Sequence, residues 1–344
     1  MQEFSKMDTK SVAEGFAVET REGLIFTVKG LVHPPDAVIA YLRYVPDPSG
    51  DRESGGTRYR RVYGFQEQED LLRARWPWYL RKDSVFGLLL QAVPVDDIRR
   101  VYDPCHRLKN LWERGPADRL EEGVLGLTEL VRETANVPLE ALGLSGSALL
   151  GLHRADSDMD IVAYGDEESR SVHRALTDLL HERSAAVQRP RTEELAAIHD
   201  EHCLDTPISL VDFARLQARK VNEGRFRGRP YFFRFVKRRA QVPERYGNLR
   251  YEPLGPALIR ARVEDDAEAL FTPCRYEVGH VTFLEGAPTE GLREIVSFRG
   301  RFTDQAKSGE WVSARGRLER VVRAGCPFYL RLSVGGQPGD YLVS

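Results

Sequence analysis

Two short motifs, separated by ten residues, hold the side chains of this sequence that are best suited to bind a phosphate and a metal ion. The first is Leu144-Ser145-Gly146-Ser147, which predicts a strand that turns at the glycine and leads into a helix. Glycine lets the backbone approach a phosphate, while a serine hydroxyl and the amides of a helix N-terminus donate hydrogen bonds to it. We therefore expect Gly146 and Ser147 to form a phosphate cradle.

The second motif, Asp158-Met159-Asp160-Ile161-Val162, predicts a strand with two acids on one face. Side chains alternate along a strand, so Asp158 and Asp160 lie on the same side while the apolar residues pack. Two carboxylates beside a phosphate cradle form an oxygen site suited to Mg²⁺ or Mn²⁺. The alternative is an ordinary polar turn that includes these aspartates.

Periodicity and capping residues predict the elements that would position the two motifs. Thr206-Pro207 predicts the start of a helix that runs to about Glu223, because threonine is a favoured N-cap and proline is favoured at the first helical position. The other predicted elements are helices at residues 117–133, 148–153 and 172–183 and strands at residues 159–163 and 231–237.

The motif pair resembles the signature of the polymerase-β-type nucleotidyltransferase superfamily, which is Gly-Ser, a helix, and then Asp-x-Asp between apolar residues. Within it, the chain most resembles an uncharacterised group of predicted nucleotidyltransferases, and the resemblance covers roughly residues 116 to 240. It implies that Gly146 and Ser147 hold the triphosphate of a nucleoside triphosphate (NTP). It also implies that Asp158 and Asp160 bind the metal ions that align the α-phosphate with an attacking hydroxyl.

Members of that superfamily usually add a third carboxylate on a neighbouring strand. Asp212 has the apolar flanks of such an acid, but it falls inside the helix that Thr206-Pro207 predicts, where a solvated face position is the alternative. The strand at residues 231–237 carries Arg234 where an acid is expected. Asp212 is thus the candidate third carboxylate, and Arg234 is a candidate ligand of the triphosphate or of an acceptor phosphate.

A basic run between residues 215 and 250 has a local charge of +10 and is interleaved with aromatic residues. Phosphate neutralisation dominates affinity for nucleic acids, so this run predicts RNA or another nucleic acid as the acceptor. A solvated basic face is the alternative. The residues expected to contact nucleic acid are Arg225, Arg227, Arg229, Lys237, Arg238 and Arg239.

Two further aromatic and basic stretches lie nearer the N-terminus, at residues 41–44 and 58–63. Rings stack on bases and arginines hold phosphates, so these stretches could extend a nucleic-acid surface. A strand with one buried aromatic face explains the same alternation.

The chain has 344 residues, enough for two or three domains, and we predict an α+β fold in three segments. Residues 1–115 predict a mixed α+β domain that could contact nucleic acid, bounded by Gly115-Pro116. Residues 116–250 predict the nucleotidyltransferase domain, with a mixed sheet and helices. Residues 251–344 alternate short strands with glycine turns, which predicts a small β-barrel such as an OB-fold.

The composition narrows the class of protein. No apolar run approaches the ~20 residues of a membrane helix, and the first ten residues lack the apolar stretch of a signal peptide, so we expect a cytoplasmic protein. Four widely spaced cysteines argue against a zinc knuckle and a disulfide framework.

The expected function is metal-dependent transfer of a nucleoside monophosphate from an NTP to an acceptor hydroxyl, with RNA or another nucleic acid as the acceptor. Two alternatives stay open. One is a nucleotidyltransferase that acts on a small molecule or a protein. The other is a non-catalytic nucleic-acid-binding protein that retains the fold but has an incomplete set of acids.

Overall fold

The computed structural model describes residues 11–182, 186–202 and 205–344 of the chain. Its strands and helices form a mixed α+β arrangement with several sheets, which confirms the predicted fold class at that level. The first ten residues, on which the expected lack of a signal peptide rests, lie outside the described residues. Among the described residues, none of the helices combines the length and the apolar character needed to cross a membrane.

The strands and α-helices of the described residues are numbered in chain order. The strands as far as residue 164 are β1 Ala17–Thr20, β2 Ile25–Val28, β3 Ala37–Pro46, β4 Arg52–Ser54, β5 Thr57–Arg61, β6 Leu80–Asp83, β7 Leu88–Pro94, β8 Ile98–Tyr102, β9 Leu142–Leu144 and β10 Met159–Tyr164. The later strands are β11 Val187–Gln188, β12 Glu223–Phe226, β13 Arg229–Val236, β14 Leu249–Asp265, β15 Cys274–Glu285, β16 Leu292–Ser297, β17 Trp311–Arg323, β18 Cys326–Ser333 and β19 Tyr341–Val343. The α-helices are α1 Phe65–Arg75, α2 Pro104–Arg114, α3 Arg119–Ala135, α4 Gly146–Leu149, α5 Asp166–His181, α6 Thr192–His202 and α7 Leu210–Gln217.

Contacts divide the chain into two compact units. The first unit consists of Met1–Asp83, Leu88–Ala175 and Arg229–Tyr246, and it includes both predicted motifs. The second unit consists of Ser84–Gly87, Leu176–Gly228 and Gly247–Ser344.

An antiparallel sheet forms the N-terminal part of the first unit. Six of its strands lie in the order β4-β5-β3-β2-β1-β8, and β7 pairs with both β3 and β6. Its apolar core includes Val18, Phe26 and Leu42, which are fully buried. The Phe26 ring packs edge-on against Tyr79 with the ring centroids 5.3 Å apart. Burial of this face stabilises the sheet, since each fully buried large apolar side chain contributes about 1.5–3 kcal/mol.

The strand that carries the predicted metal ligands lies between two others in the same unit. β10 is parallel to β13, with Met159 opposite Tyr231, and antiparallel to β9, with Ile161 opposite Leu144. The predicted strands at 159–163 and 231–237 are thereby confirmed. A strand flanked on both edges buries its apolar residues, which explains why Met159 and Ile161 are inaccessible to solvent.

Aspartate caps determine where α2 and α3 begin. The Asp103 carboxylate accepts hydrogen bonds from the backbone N–H groups of Cys105 and His106, at 2.8 and 3.2 Å. The Asp118 carboxylate accepts two in the same way, each at 2.9 Å. Such caps satisfy amides that a helix leaves unpaired at its start. The predicted helix at 117–133 is thus confirmed, shifted by two residues.

The predicted boundary at Gly115-Pro116 lies inside the first unit. Leu31 of the N-terminal segment belongs to the same buried cluster as Val162 and Tyr164 of β10, and Phe16 packs against that cluster. The division into three domains stays a prediction, but residues on both sides of this boundary share one core.

The second unit contains a closed ring of strands. β14 pairs with β15, β15 with β16, β16 with β18, β18 with β17, and β17 again with β14, while β19 adds to β17. The all-β character predicted for residues 251–344 is confirmed. The interior of the ring is apolar, and the hydroxyl of the buried Tyr276 donates to the Phe302 carbonyl at 2.6 Å.

The helix predicted to start at Thr206-Pro207 begins later. α7 starts at Leu210, because the Ser209 hydroxyl accepts a hydrogen bond from the Asp212 N–H at 3.1 Å, and it ends at Gln217. Residues 223–226, where the sequence predicts the end of that helix, form strand β12 instead. A serine cap therefore replaces the predicted threonine cap.

We expect the replacement Gly143→Ala to destabilise the protein. A Cβ atom at this position would lie 2.6 Å from Pro104 Cβ and 2.9 Å from the Pro104 carbonyl carbon, at the start of α2. Forcing the helix away from β9 should cost about 1–3 kcal/mol of unfolding free energy, measured by urea denaturation. Gly64→Ala is the matched control, because its φ is −82° and open space surrounds it. Equal unfolding free energies for the two variants would contradict the tight packing at Gly143.

Candidate functional site

The two predicted motifs lie in direct contact. Gly146 adopts a φ of +60°, and a Cβ atom there would overlap the carboxylate of Asp160. The Ser145 N–H donates to the Asp160 carbonyl at 2.8 Å, which holds the turn against β10. Glycine is required at position 146 for two reasons, its left-handed conformation and the closeness of the carboxylate.

The helix that includes Gly146 and Ser147 is shorter than predicted. α4 starts at Gly146 itself and ends at Leu149, one turn, where the sequence predicts a helix at 148–153. The Ser145 hydroxyl donates to the Gly15 carbonyl at 3.0 Å, and Arg107 of α2 donates to the Ala148 carbonyl at 3.2 Å. Both bonds join the turn to neighbouring elements. These two bonds, rather than a long helix, fix the position of the turn at Gly146.

Asp158 and Asp160 form the acidic pair of the site. Asp158 is exposed just before β10, and Asp160 is half-buried within it, two residues along the same face. Burial, followed by the negative charge of Asp158, raises the pKa of Asp160 to about 7, and the charges of Arg234 and Arg61 partly oppose this. The pair is therefore expensive to ionise without a cation between or beside the two carboxylates.

This acidic pair fits a magnesium ion that shares its coordination with a substrate. Mg²⁺ is usually bound by one or two carboxylates together with substrate phosphates, and it keeps several waters. Within the described ranges, no group of three or more His, Cys, Asp or Glu side chains could hold a metal ion. Asp158 and Asp160 would supply the two carboxylates of such a site.

An arginine of the basic run positions the turn that leads to Asp158. Arg229 Nη1 donates to the carbonyls of Ala155 and Ser157, at 2.9 and 2.8 Å. Within the turn, the Ser157 hydroxyl accepts from the Arg154 N–H at 2.9 Å. Arg229, predicted to contact nucleic acid, thus fixes the path of the chain between the two motifs.

The N-terminal sheet packs against the segment that follows the cradle. Tyr44 of β3 and Tyr59 of β5 are buried in one apolar cluster with Leu149, Leu150 and Leu152. Of the two interpretations of the aromatic and basic stretches, a buried aromatic face is correct at both tyrosines. Two hydrogen bonds reinforce the contact, from Arg52 Nη1 to the Leu152 carbonyl at 2.8 Å and from the Ser54 hydroxyl to the Leu150 carbonyl at 3.2 Å.

The proximity of this sheet to the acidic pair was missed by the sequence reasoning. Burial raises the pKa of Tyr44, and the negative charges of Asp160 and Asp158 contribute to the rise while Arg52 opposes it. The charge of Arg61 acts on Asp160 in turn. The only sequence signal is the alternation of Tyr59 and Arg61, which places them on one strand face.

Comparisons with known proteins provide one relative. The uncharacterized protein MJ1086 of Methanocaldococcus jannaschii is 30% identical to the chain over 327 residues, which covers 92% of the chain and 94% of that protein. The chain belongs to the family of this archaeal protein. No family model matches the chain, and no solved structure matches it.

The sequence similarity to this relative extends over nearly the whole chain, so it includes parts of both compact units.

The strand beside the acidic pair contains no carboxylate. In the parallel register, Phe232 lies opposite Asp160 and Arg234 lies opposite Val162, so Arg234 is on the same face as the acids. Its guanidinium forms an ion pair with the buried Glu14. Glu14 also accepts a hydrogen bond from the Gly30 N–H at 2.7 Å. Arg234 is therefore anchored by an internal partner near the acids.

Asp212, the candidate third carboxylate, lies in the second unit, whereas Asp158 and Asp160 lie in the first. It occupies the first turn of α7, where its carboxylate accepts the Ser209 hydroxyl at 2.7 Å and pairs with Arg215 at 3.1 Å. These contacts explain the aspartate at position 212 by the capping of α7.

Most cations predicted to contact nucleic acid have partners within their own unit. Lys237 pairs with Asp166 at 3.1 Å, and Arg225 pairs with Glu194 at 2.6 Å. Arg239 donates to two carbonyls, of Val242 and Glu244. Arg238 lies 3.8 Å from Glu168 and is 44% exposed, and Arg227 is exposed over the Phe226 ring. Only these last two members of the predicted set keep substantial access to a ligand.

The raised pKa of Asp160 makes the stability of the metal-free protein decrease as the pH rises. An aspartate in the unfolded chain releases its proton near pH 3.8, whereas folded Asp160 keeps it to about 7, so the folded state binds more protons in between. In EDTA, the unfolding free energy of the parent should fall relative to that of Asp160→Asn across this range, by about 1.4 kcal/mol per unit of pKa shift. The exposed Asp156→Asn variant should follow the parent. A difference between parent and Asp160→Asn that does not change with pH would rule out the burial effect.

Proposed function

We propose that the protein is a metal-dependent nucleotidyltransferase whose site lies in the first unit. The observation that carries the proposal is the contact between Gly146 and the Asp160 carboxylate. It brings the first turn of α4 against a pair of acids suited to a divalent cation. An NTP whose phosphates lie at the turn would have those same phosphates beside the acids.

The transfer needs positioning and charge neutralisation more than covalent chemistry from the protein. The oxygen of the acceptor hydroxyl forms a bond to the α-phosphorus, the bond from that phosphorus to the bridging oxygen breaks, and pyrophosphate leaves. The hydroxyl proton passes to solvent. Gly146 and Ser147 would hold the triphosphate by backbone and hydroxyl donors, while Asp158 and Asp160 would hold the cation. Bound there, Mg²⁺ would neutralise phosphate charge as the transfer proceeds.

The alternative of a fold that binds without catalysis has one observation in its favour. Strand β13, adjacent to the acids, offers Phe232 and Arg234 rather than a third carboxylate. This alternative is a nucleic-acid-binding protein, and tight RNA binding without nucleotide transfer in the parent protein would favour it.

The acceptor is proposed in two forms. Nucleic acid is supported by Arg227 and Arg238, whose charged groups stay accessible, and by the ring of strands in the second unit, which we propose to be OB-like. A small molecule or protein is supported by the internal pairing of Lys237, Arg225 and Arg239. A cytoplasmic location follows from the proposed substrate, since NTPs are supplied there.

Asp158→Asn and Asp160→Asn should each abolish metal-dependent nucleotide transfer without loss of stability, because each removes a metal ligand and relieves like-charge repulsion. The assay incubates the purified full chain with each labelled NTP, Mg²⁺ or Mn²⁺, and total RNA or a small-molecule extract, and follows the label.

Ser147→Ala should weaken NTP binding about tenfold or more, through loss of one hydrogen bond to a charged group.

The matched control is Asp156→Asn, because Asp156 is an exposed aspartate two residues before the pair, and its ion pair is with the neighbouring Arg154 at 3.4 Å. It should retain parental activity. Transfer that survives in both Asp158→Asn and Asp160→Asn would exclude this pair as the metal site.

The salt dependence of RNA binding separates the two acceptors. If the exposed part of the basic run contacts single-stranded RNA, the logarithm of the affinity should fall with the logarithm of salt by about 0.7 per phosphate contact. Replacing Arg227 and Arg238 with glutamine should then flatten the slope by about 1.4. Lys109→Gln, an exposed change outside the run, should leave the slope unchanged. Weak binding that does not respond to salt in the parent would favour the small-molecule or protein acceptor.

A further inference from the structure

The two faces of strand β5 have different surroundings. One face packs against the segment that follows Ser147, and the other carries Arg60. In the antiparallel register with β3, Arg61 lies opposite Tyr44, and Tyr59 lies opposite Pro46. Cross-strand partners share a face, so Arg61 is on the face whose Tyr44 and Tyr59 are buried against Leu149 and Leu152. The Arg60 side chain lies on the opposite face, where it pairs with Glu67 at 2.6 Å.

Arg61 has no polar partner among the residues that the structure describes. Its Nε is buried without a hydrogen bond, and the side chain forms no ion pair in the described ranges. Its guanidinium stacks over the ring of Tyr63, 4.5 Å from the centroid, and Arg43 lies over the same ring at 5.4 Å. Stacking on an aromatic face orients a guanidinium while leaving its N–H donors available.

A buried donor without a partner is expensive, with a typical penalty of about 1–3 kcal/mol. In natural proteins such a donor is satisfied by an ordered water, an ion or a ligand. Arg61 is close enough to act electrostatically on Asp160, yet within the described ranges it forms no ion pair with that carboxylate. An anion that lies beside the acidic pair with its cation would satisfy Arg61.

We propose that Arg61 binds the triphosphate of the nucleotide, so that the N-terminal sheet supplies one wall of the nucleotide site. This inference rests on the proposed nucleotidyltransferase function. The planar fork of a guanidinium fits two phosphate oxygens at once. The sheet holds the backbone of Arg61 in place through the packing of Tyr44 and Tyr59 and through the bond from Arg52 to the Leu152 carbonyl. The phosphates are thus held from three directions, by the cradle, by the cation at the aspartates and by Arg61.

The test is equilibrium binding of the purified full chain to ATP, GTP, CTP and UTP and to inorganic tripolyphosphate, each with Mg²⁺. Arg61→Gln should weaken the affinity for the tightest NTP and for tripolyphosphate by about 10- to 100-fold, the loss expected for hydrogen bonds to a charged group. Arg61→Lys should retain part of the affinity, because it keeps the charge but loses the fork. Affinity for the corresponding nucleoside, which has no phosphate, should not change between parent and variants.

Arg58→Gln is the matched control, since Arg58 is an exposed arginine on the other face of the same strand. It should bind NTP within about twofold of the parent. Arg61→Gln should still unfold in one cooperative thermal transition, which shows that a loss of NTP affinity is not due to loss of the fold, because the substitution breaks no hydrogen bond or ion pair in the described residues.

The outcomes separate the inference from the function on which it rests. Parental NTP binding by Arg61→Gln, with Asp160→Asn defective in metal-dependent transfer, would overturn the role of Arg61 alone. A parent protein that binds neither an NTP nor tripolyphosphate in the presence of Mg²⁺ would overturn both proposals.

Discussion

Repulsion between two carboxylates on one strand face is the constraint on which the site depends. Asp160 lies within β10 and Asp158 lies immediately before it, and burial together with the negative charge of Asp158 raises the pKa of Asp160. The contact with Gly146 encloses the Asp160 carboxylate further, since no side chain separates the turn from it. In the proposed function, binding of a divalent cation would relieve this repulsion, so the geometry of the pair would favour a metal-bound state.

Three arginines around this pair have different partners and therefore different roles. Arg229 donates to the carbonyls of the turn before Asp158, and Arg234 pairs with the buried Glu14. Both arginines therefore hold neighbouring parts of the chain in place. Arg61 has neither a carbonyl nor a carboxylate partner in the described residues. Of the three, only Arg61 leaves its guanidinium without a protein hydrogen-bond partner in the described residues, although all three are equally charged.

The same distinction applies to the basic run. The run has a local charge of +10 in the sequence, but many of its cations form ion pairs or hydrogen bonds to carbonyls within the protein. In the second unit, Lys220 is almost fully buried, and its ammonium donates to the Arg301 carbonyl at 2.6 Å. A buried ammonium needs such acceptors because desolvation of an unpaired charge is costly. Charge density along a sequence therefore overstates the charge that a surface offers to a partner.

Local patterns alone determined the elements of the site in this protein. The alternation of aspartates with apolar residues predicts β10, and the glycine between two serines predicts a turn, because both patterns depend on neighbours in the sequence. Contacts between distant residues decided the rest. The approach of Gly146 to Asp160, the anchoring of Arg234 by Glu14 and the packing of Tyr44 and Tyr59 against Leu149 join residues 14 to 220 positions apart. Nothing in the local sequence distinguishes an arginine with an internal partner from one without, because that difference arises only when the chain has folded and each side chain has met its neighbours.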